Sequence, residues 1–316
     1  CYQPHYEQIV LRLNRKGHPS TDLVIVRGLR TYASIRDRPM PQQPTQFAMI
    51  LRKHLNNSRL IDAQQLGFDR VIRLVFEHGG GRLSLIIELF RDGNVLLLDG
   101  RDVIIRPLTH AKYASRSLKK GVKYRPPPEA VDPRSMSSDD IASILEDSEH
   151  TLIRTLASRA NLGRIYAAAA CSTAGLEEDS MASSMSSRDR ESLAKALSDM
   201  LEALDNGEEA NIWFSDADSK ASWEACDNES DRDSASSGII EISPIELPNM
   251  PSETHSKVQN LSYAFDCVFG SHDSAAFIRR EEEKLVEKGD RAEDEGAKLS
   301  RRANQQRSAI DKFNER

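Results

Sequence analysis

Few residues of this 316-residue chain that could do chemistry are spaced to do it. Eight histidines, His5, His18, His54, His78, His110, His150, His255 and His272, are scattered, and no His-Glu-x-x-His pattern or close His/Cys/Asp cluster offers a metal its ligands. His78-Gly79-Gly80-Gly81 has the composition of an esterase oxyanion loop, but no Gly-x-Ser-x-Gly elbow occurs, and strand-like sequence on both sides makes it a hairpin turn. The same flanks exclude a phosphate-binding glycine loop, which must open a helix. Cys1, Cys171, Cys226 and Cys267 lie 170, 55 and 41 residues apart, which fits neither a zinc knuckle nor a disulfide framework. Isolated, inert thiols and an intracellular location are expected, and the Asn-x-Ser/Thr matches at Asn56, Asn228 and Asn260 are then coincidental. Most carboxylates fall in an acidic stretch or a charged tail, where nothing preorganises them. The expectation is no catalytic site, no metal and no cofactor.

One adjacency stands apart. Asp69-Arg70 follows Gly67-Phe68 and precedes a run of strands, beside a basic helix. As strand neighbours the two side chains point to opposite faces, so the fold can hold one while the other reaches a ligand. On residue types alone, a surface ion pair with some neighbour is the simpler reading.

The net charge of -6 hides a split. Residues 1–134 carry 23 Lys+Arg against 12 Asp+Glu, and residues 135–316 carry 20 against 37. A basic half of which 17 of 23 cations are Arg favours a polyanion, because guanidinium forks match phosphate. The longest apolar runs, Leu85 to Ile87, Val95 to Leu98 and Ala167 to Cys171, are far short of the about 20 residues a spanning helix needs. No apolar segment opens the chain as a secretory signal would. It begins at Cys1 without Met, so a fragment is expected.

The elements that must position these residues are legible in outline. Residues 9–13 and 23–27 look like short strands, and Pro-broken 39–46 is a loop. Thr45 caps a helix whose Phe47, Ile50, Leu51 and Leu55 share one face, with Arg52, Lys53 and Arg59 elsewhere on it. A β-meander over 71–77, 82–90, 94–99 and 103–108 follows, turned by His-Gly-Gly-Gly, Arg-Asp-Gly and Gly-Arg-Asp. Basic, Pro-rich 112–134 is an extended domain exit. From Ser137 the period is helical, with an Asn161-Leu162-Gly163 hairpin, a C-cap at Gly175 and an amphipathic helix over 187–204. Residues 199–253 hold 15 acidic and two basic residues, which predicts a largely disordered insert in which Asn211–Asp216 and Gly238–Leu247 pair as short strands. In the tail, Ile278, Leu285, Ala292, Leu299 and Phe313 keep a seven-residue register broken only by Gln306, with Ala303 and Ile310 on a second. That is the start of a coiled-coil arm whose partner strand lies elsewhere.

The stretch from Leu51 to Arg70, then Glu88 to Asp99, then Tyr124 with Pro126-Pro127-Pro128, resembles the NFACT family. Residues 24–39, strand, Gly-Leu-Arg and a Pro-rich loop, match its eukaryotic, NEMF-like branch, and the resemblance covers about residues 20–210. It implies an α+β chain: an NFACT-N α/β domain with an antiparallel meander, shaped like the first domain of formamidopyrimidine-type glycosylases (1–134, lacking the family's first helix). A helix-hairpin-helix domain (135–206), the acidic insert (207–260) and the first arm of a coiled coil (261–316) follow. The family's returning arm and later domains are absent from this sequence.

The resemblance further implies a cytoplasmic ribosome-associated quality control factor that binds the large ribosomal subunit carrying stalled peptidyl-tRNA. Such a factor stabilises a Listerin-type E3 ubiquitin ligase there and recruits alanyl-tRNA (threonyl-tRNA too in fungi) for mRNA-independent tailing, the ribosome making the peptide bond. It would not itself be an enzyme. The family's Asp-Arg motif falls on Asp69-Arg70, with Arg52, Lys53 and Arg30 supplying charge against the tRNA backbone. The competing readings are a passive ribosome-docking scaffold and a glycosylase-like DNA-binding protein, which lacks its amino-terminal Pro and zinc finger here.

Overall fold

The computed structural model describes residues 1–226 and 229–314, with side chains described for 1–226 and 231–302. Four antiparallel strands open the chain in sequential order: β1 (Tyr2–His5), β2 (Gln8–Leu13), β3 (Thr21–Val26) and β4 (Arg30–Ser34). Helix α1 (Gln46–Leu55) leads to a second sequential antiparallel sheet of β5 (Arg59–Gln65), β6 (Val71–His78), β7 (Gly81–Glu88), β8 (Val95–Leu98) and β9 (Ile104–Pro107). The β6–β7 hairpin turns on Gly79 and Gly80, both at positive φ (56° and 80°), a backbone that favours glycine.

Burial explains the unbroken apolar runs of the meander. Leu85, Ile87, Val95 and Leu97 face Ile9, Leu11, Ile25, Phe47 and Leu51, which closes the two sheets over α1. Ile86, Leu96 and Leu98 face the other way, onto Leu118 and Tyr124. A strand buried on both faces has no polar alternation to show. The cover on that second face is residues 111–124, where the short strands β10 (Ala111–Lys112) and β11 (Ser117–Leu118) pair and Val103 bridges Lys123.

Three expectations change. The basic helix ends at Leu55, and Arg59 opens β5, so it does not share the helix with Arg52 and Lys53. Strand β5 lacked a signal because RLIDAQQ is polar and nearly all exposed at the sheet edge. Residues 207–260, expected as mostly disordered, carry β12 (Ala210–Phe214), α6 (Ala217–Glu224), α7 (Glu229–Ala235), β13 (Ile239–Ser243) and β14 (His255–Val258). Strands β12 and β13 pair as the sequence suggests, and β14 adds to the free side of β12. Sparse but large apolar residues drive this: Phe214 and Trp223 pack with Ile212, Val258, Ala264 and Cys267.

Between the two regions stand α2 (Ser138–Glu146), α3 (Leu152–Arg159), α4 (Gly163–Ala174) and α5 (Ser187–Asn206), built on Leu145, Leu152, Leu156, Leu193 and Leu197, with Trp213 joining their core. Ser137 and Ser186 form capping boxes at the starts of α2 and α5, and Gly175 ends α4. The tail divides into α8 (Leu261–Ser274), laid against β4, and α9 (Ala276–Asn314). Ile278, Leu285 and Leu299 of the heptad register are exposed on α9, while the side chains of Ala303, Gln306, Ile310 and Phe313 lie outside the described residues. Among the described residues no helix is long and apolar enough to cross a membrane.

Candidate functional site

Asp69 and Arg70 sit in the bend between β5 and β6, so the opposite-face argument for strand neighbours does not apply to them. Instead the Asp69 carboxylate turns back and accepts the Arg70 backbone N–H at 2.6 Å. The bend is tied on every side. Leu66 N–H donates to the Val71 carbonyl (2.8 Å), Leu89 N–H to the Arg70 carbonyl (2.7 Å) and Gln65 Nε2 to the Asp69 carbonyl (2.9 Å). From the helical unit, Asn161 Nδ2 donates to the Phe68 carbonyl and to the Val131 carbonyl, each at 3.0 Å. The Phe68 ring packs against the helical core and lies 5.4 Å from the Arg134 guanidinium. What this leaves in solvent is the Arg70 side chain.

The other expected site residues do not gather around this bend. In β5, Arg59 pairs with Glu77 at one end and Gln65 with Ile72 at the other. At about 3.3 Å per residue the two ends are roughly 20 Å apart. Arg52 and Lys53, at the end of α1, belong to the Arg59 end. Arg52 donates through Nε to the Cys1 carbonyl (2.7 Å) and stands 4.9 Å from the Tyr2 ring centre, whereas Lys53 is exposed.

Arg30 lies on the Asp69 side of the molecule, but its guanidinium is engaged. It makes a fork with the buried Asp273 carboxylate, at 3.0 Å through Nε and 2.7 Å through Nη2, over the Phe269 ring at 4.1 Å. The turn before it is seated close: a Cβ on Gly28 would stand 2.7 Å from the Phe90 carbonyl oxygen. That contact brings residues 27–29 and the exposed Arg91 to the same end as Arg70.

Two groups beneath this end escaped sequence reasoning. Glu88 is fully buried, and its Oε1 accepts from Arg116 and, at 3.1 Å, from the Tyr124 hydroxyl. Burial and the Glu88 charge push the Tyr124 phenol far above its ordinary value, so it stays a donor. A carboxylate inside the apolar run Leu85–Leu89 was the available signal. Asn161, at φ 57° in the helical hairpin, carried no signal that its amide would reach across to another unit. Burial pushes the Cys171 and Cys267 thiols up to about 11, which makes them unreactive at neutral pH. Among the described residues no group of three or more His, Cys, Asp or Glu is placed to hold a metal ion.

Comparison with known proteins sets this geometry in context. The archaeal Rqc2 homolog aRqcH of Methanocaldococcus jannaschii is 29% identical over 217 residues, 66% of this chain and 32% of that protein. The human ribosome quality control complex subunit NEMF is 32% identical over 126 residues (40% of this chain, 12% of that protein). Ribosome quality control complex subunit 2 of Saccharomyces cerevisiae is 39% identical over 93 residues (29% and 9%). The chain thus matches less than a third of the length of these relatives. In fold it resembles the amino-terminal part of the fibronectin/fibrinogen-binding protein of Streptococcus suis (TM-score 0.59, 19% identity, covering 86% of this chain and 90% of that one). The fibrinogen binding protein of Staphylococcus aureus is similar (TM-score 0.60, 15% identity, 84% and 88%). The family pattern described as NFACT N-terminal and middle domains matches residues 1–316 from end to end, and the chain is a member of the NFACT family.

Proposed function

We propose that this chain is the tRNA-handling part of a ribosome-associated quality control factor. In this reading the whole protein binds the large ribosomal subunit carrying stalled peptidyl-tRNA, supports a Listerin-type ligase there, and brings alanyl- or threonyl-tRNA for tailing without mRNA. It works in the cytoplasm and does no covalent chemistry of its own. The relatives named as ribosome quality control subunits support the assignment. The observation that carries the tRNA role is the Asp69-Arg70 bend, an exposed guanidinium on a loop whose backbone is hydrogen-bonded from both sheet neighbours and from the helical unit. Such a loop contacts a phosphate or ribose without first having to be ordered. Asp69 holds the turn and keeps a second carboxylate oxygen for a base or hydroxyl donor. Arg91 adds backbone-neutralising charge beside it and Arg30 contributes from inside its ion pair with Asp273, whereas Arg52 and Lys53 lie at the far end of β5.

The test uses full-length protein on large subunits loaded with peptidyl-tRNA. Asp69→Ala and Arg70→Ala are expected to retain subunit binding while acceptor-site tRNA and tail synthesis fall by about 10-fold or more, as loss of a charge-assisted contact predicts. Tails at wild-type levels in both variants would leave the passive scaffold reading, which the self-contained Asp69–Arg70 hydrogen bond also accommodates.

A further inference from the structure

At the far end of β5 from the Asp69-Arg70 bend lies a cleft of about 1030 Å³, between the β2–β3 hairpin and the α1–β5 turn. Its lining contains Arg12, Arg15, Arg52, Arg59 and His18 and, among the described residues, no carboxylate. We propose that this cleft is a second RNA site, one that grips sugar-phosphate backbone. The proposal rests on the tRNA-handling reading and adds to it a second, separate place of backbone contact.

Two of the arginines are pre-positioned. Arg12 and Arg52 stand 5.6 and 4.9 Å from the Tyr2 ring centre. Asp22, 2% exposed, holds Arg12 from behind at 2.9 and 3.0 Å, and the Cys1 carbonyl holds Arg52 through Nε. Those bonds fix both guanidinia while leaving Arg52 its Nη donors. Arg15 and Arg59 are exposed and, among the described residues, have no ion-pair partner. Lys16 and Lys53, also exposed, extend the charge along both sides of the cleft. Arg15, Arg52 and Arg59, which among the described residues have no carboxylate partner, repel each other across the open cleft unless an anion joins them, so the arrangement favours occupation.

The ligand class follows from the walls. The volume is at the upper limit of small-molecule pockets, about 1,000 Å³, and the cleft is open, which suits a length of polymer. Among its described lining residues the one benzenoid ring, Phe76, is only 4% exposed, which leaves the exposed His18 imidazole as the ring open to a base. Arginine forks with Asn14, Asn56, Asn57 and Ser58 beside them offer donors suited to phosphate and ribose oxygens.

The experiment titrates full-length protein with a full-length tRNA transcript across a salt series, comparing wild type, Arg15→Gln/Arg59→Gln and Asp69→Ala. Two lost phosphate contacts are expected to lower the slope of log affinity against log salt by about 1.5, with affinity near physiological salt down about 10-fold. Asp69→Ala should lower that slope by no more than the single contact of Arg70, about 0.7, and lose acceptor-site selection on loaded subunits. An unchanged slope in the double variant overturns the cleft site whether or not Asp69→Ala has an effect, and an inert Asp69→Ala beside a lowered slope removes only the Asp69 reading. Modification of arginine by phenylglyoxal gives an independent check. Protection of Arg15 and Arg59 that appears only with tRNA supports the site, and protection without tRNA means that the protein's own chain fills the cleft and overturns it.

Discussion

Glu88 shows how one residue couples the meander to the segment that leaves it. It is fully buried, paired with Arg116 and bonded to Tyr124, and Arg116 in turn lies 4.9 Å from the Tyr113 ring centre. Truncating one side of a buried pair strands the other charge, at a cost of about 3–5 kcal/mol. Glu88→Ala is therefore expected to lower unfolding stability by that amount, with Tyr124→Phe costing only about 1 kcal/mol, both read from urea denaturation midpoints. The contrast checks the assignment: equal losses would mean that the phenol, and not the ion pair, anchors the exit segment. This residue was visible in the sequence as a charge inside Leu85–Leu89, but its partners, 28 and 36 residues away, were not. Asp69 and Arg70 were legible as a pair. Their bend was not, because Asp69 makes its defining bond to the backbone next door, a choice that side-chain alternation does not encode.

At the scale of elements, α8 and α9 meet at a polar latch. Asp273 takes the Arg30 fork and the Tyr32 hydroxyl (2.8 Å), while Gln8 Nε2 donates to its carbonyl (3.0 Å). Seven residues on, Arg280 donates to the Gln3 carbonyl at 3.2 Å, so α9 leaves the first sheet in a fixed direction. Burial pushes the Asp273 carboxyl up, yet the bonds from Arg30 and Tyr32 outweigh it and hold the group below ordinary aspartate values. A depressed carboxyl stabilises the fold fully above its unfolded value and loses that contribution as pH falls through the lower, folded one. The contribution of the Asp273 carboxylate to the latch should thus be lost only in acid, below about pH 4. Asp273→Ala at neutral pH is expected to cost about 3 kcal/mol and to broaden the pair-distance distribution in small-angle scattering, as α9 loses its fixed exit. A scattering profile identical to wild type would show that packing of α8 alone sets the direction. The meander and α1 were readable because turns, Thr45 and apolar spacing agreed with one another. Strand β5 and the sheet of residues 210–258 were not, because an exposed edge strand alternates little and an acidic stretch masks a few large apolar side chains.

For the molecule as a whole, the charge split has a structural counterpart. The basic half presents two cationic ends about 20 Å apart along β5, and α9 carries charge outward from the same sheet pair. Fold class and family order were legible because they repeat over many residues. The separation of Arg52 and Lys53 from Asp69 was not, because it depends on where one polar strand runs. Asn161 ties the helical unit to this basic half through its amide, beside the Phe68 ring that packs into the helical core. Asn161→Gly keeps the positive φ and removes the tether. Hydrogen exchange at residues 66–71 is expected to accelerate by about 10-fold, for the loss of roughly 1 kcal/mol of hydrogen bonding, with the helical unit's protection unchanged. Exchange at the wild-type rate would show that the β5 and β6 bonds suffice.

That amide also acts as a gauge of posture. Its two hydrogens go to Phe68 in the bend and to Val131 in the exit segment, so bend, exit and hairpin form one three-way junction. Rotation of the helices about the exit must either break both bonds or swing Arg70 with them. The aim of the guanidinium is therefore set by how the helical unit is seated, and a surface that seats those helices differently re-aims Arg70 without touching it.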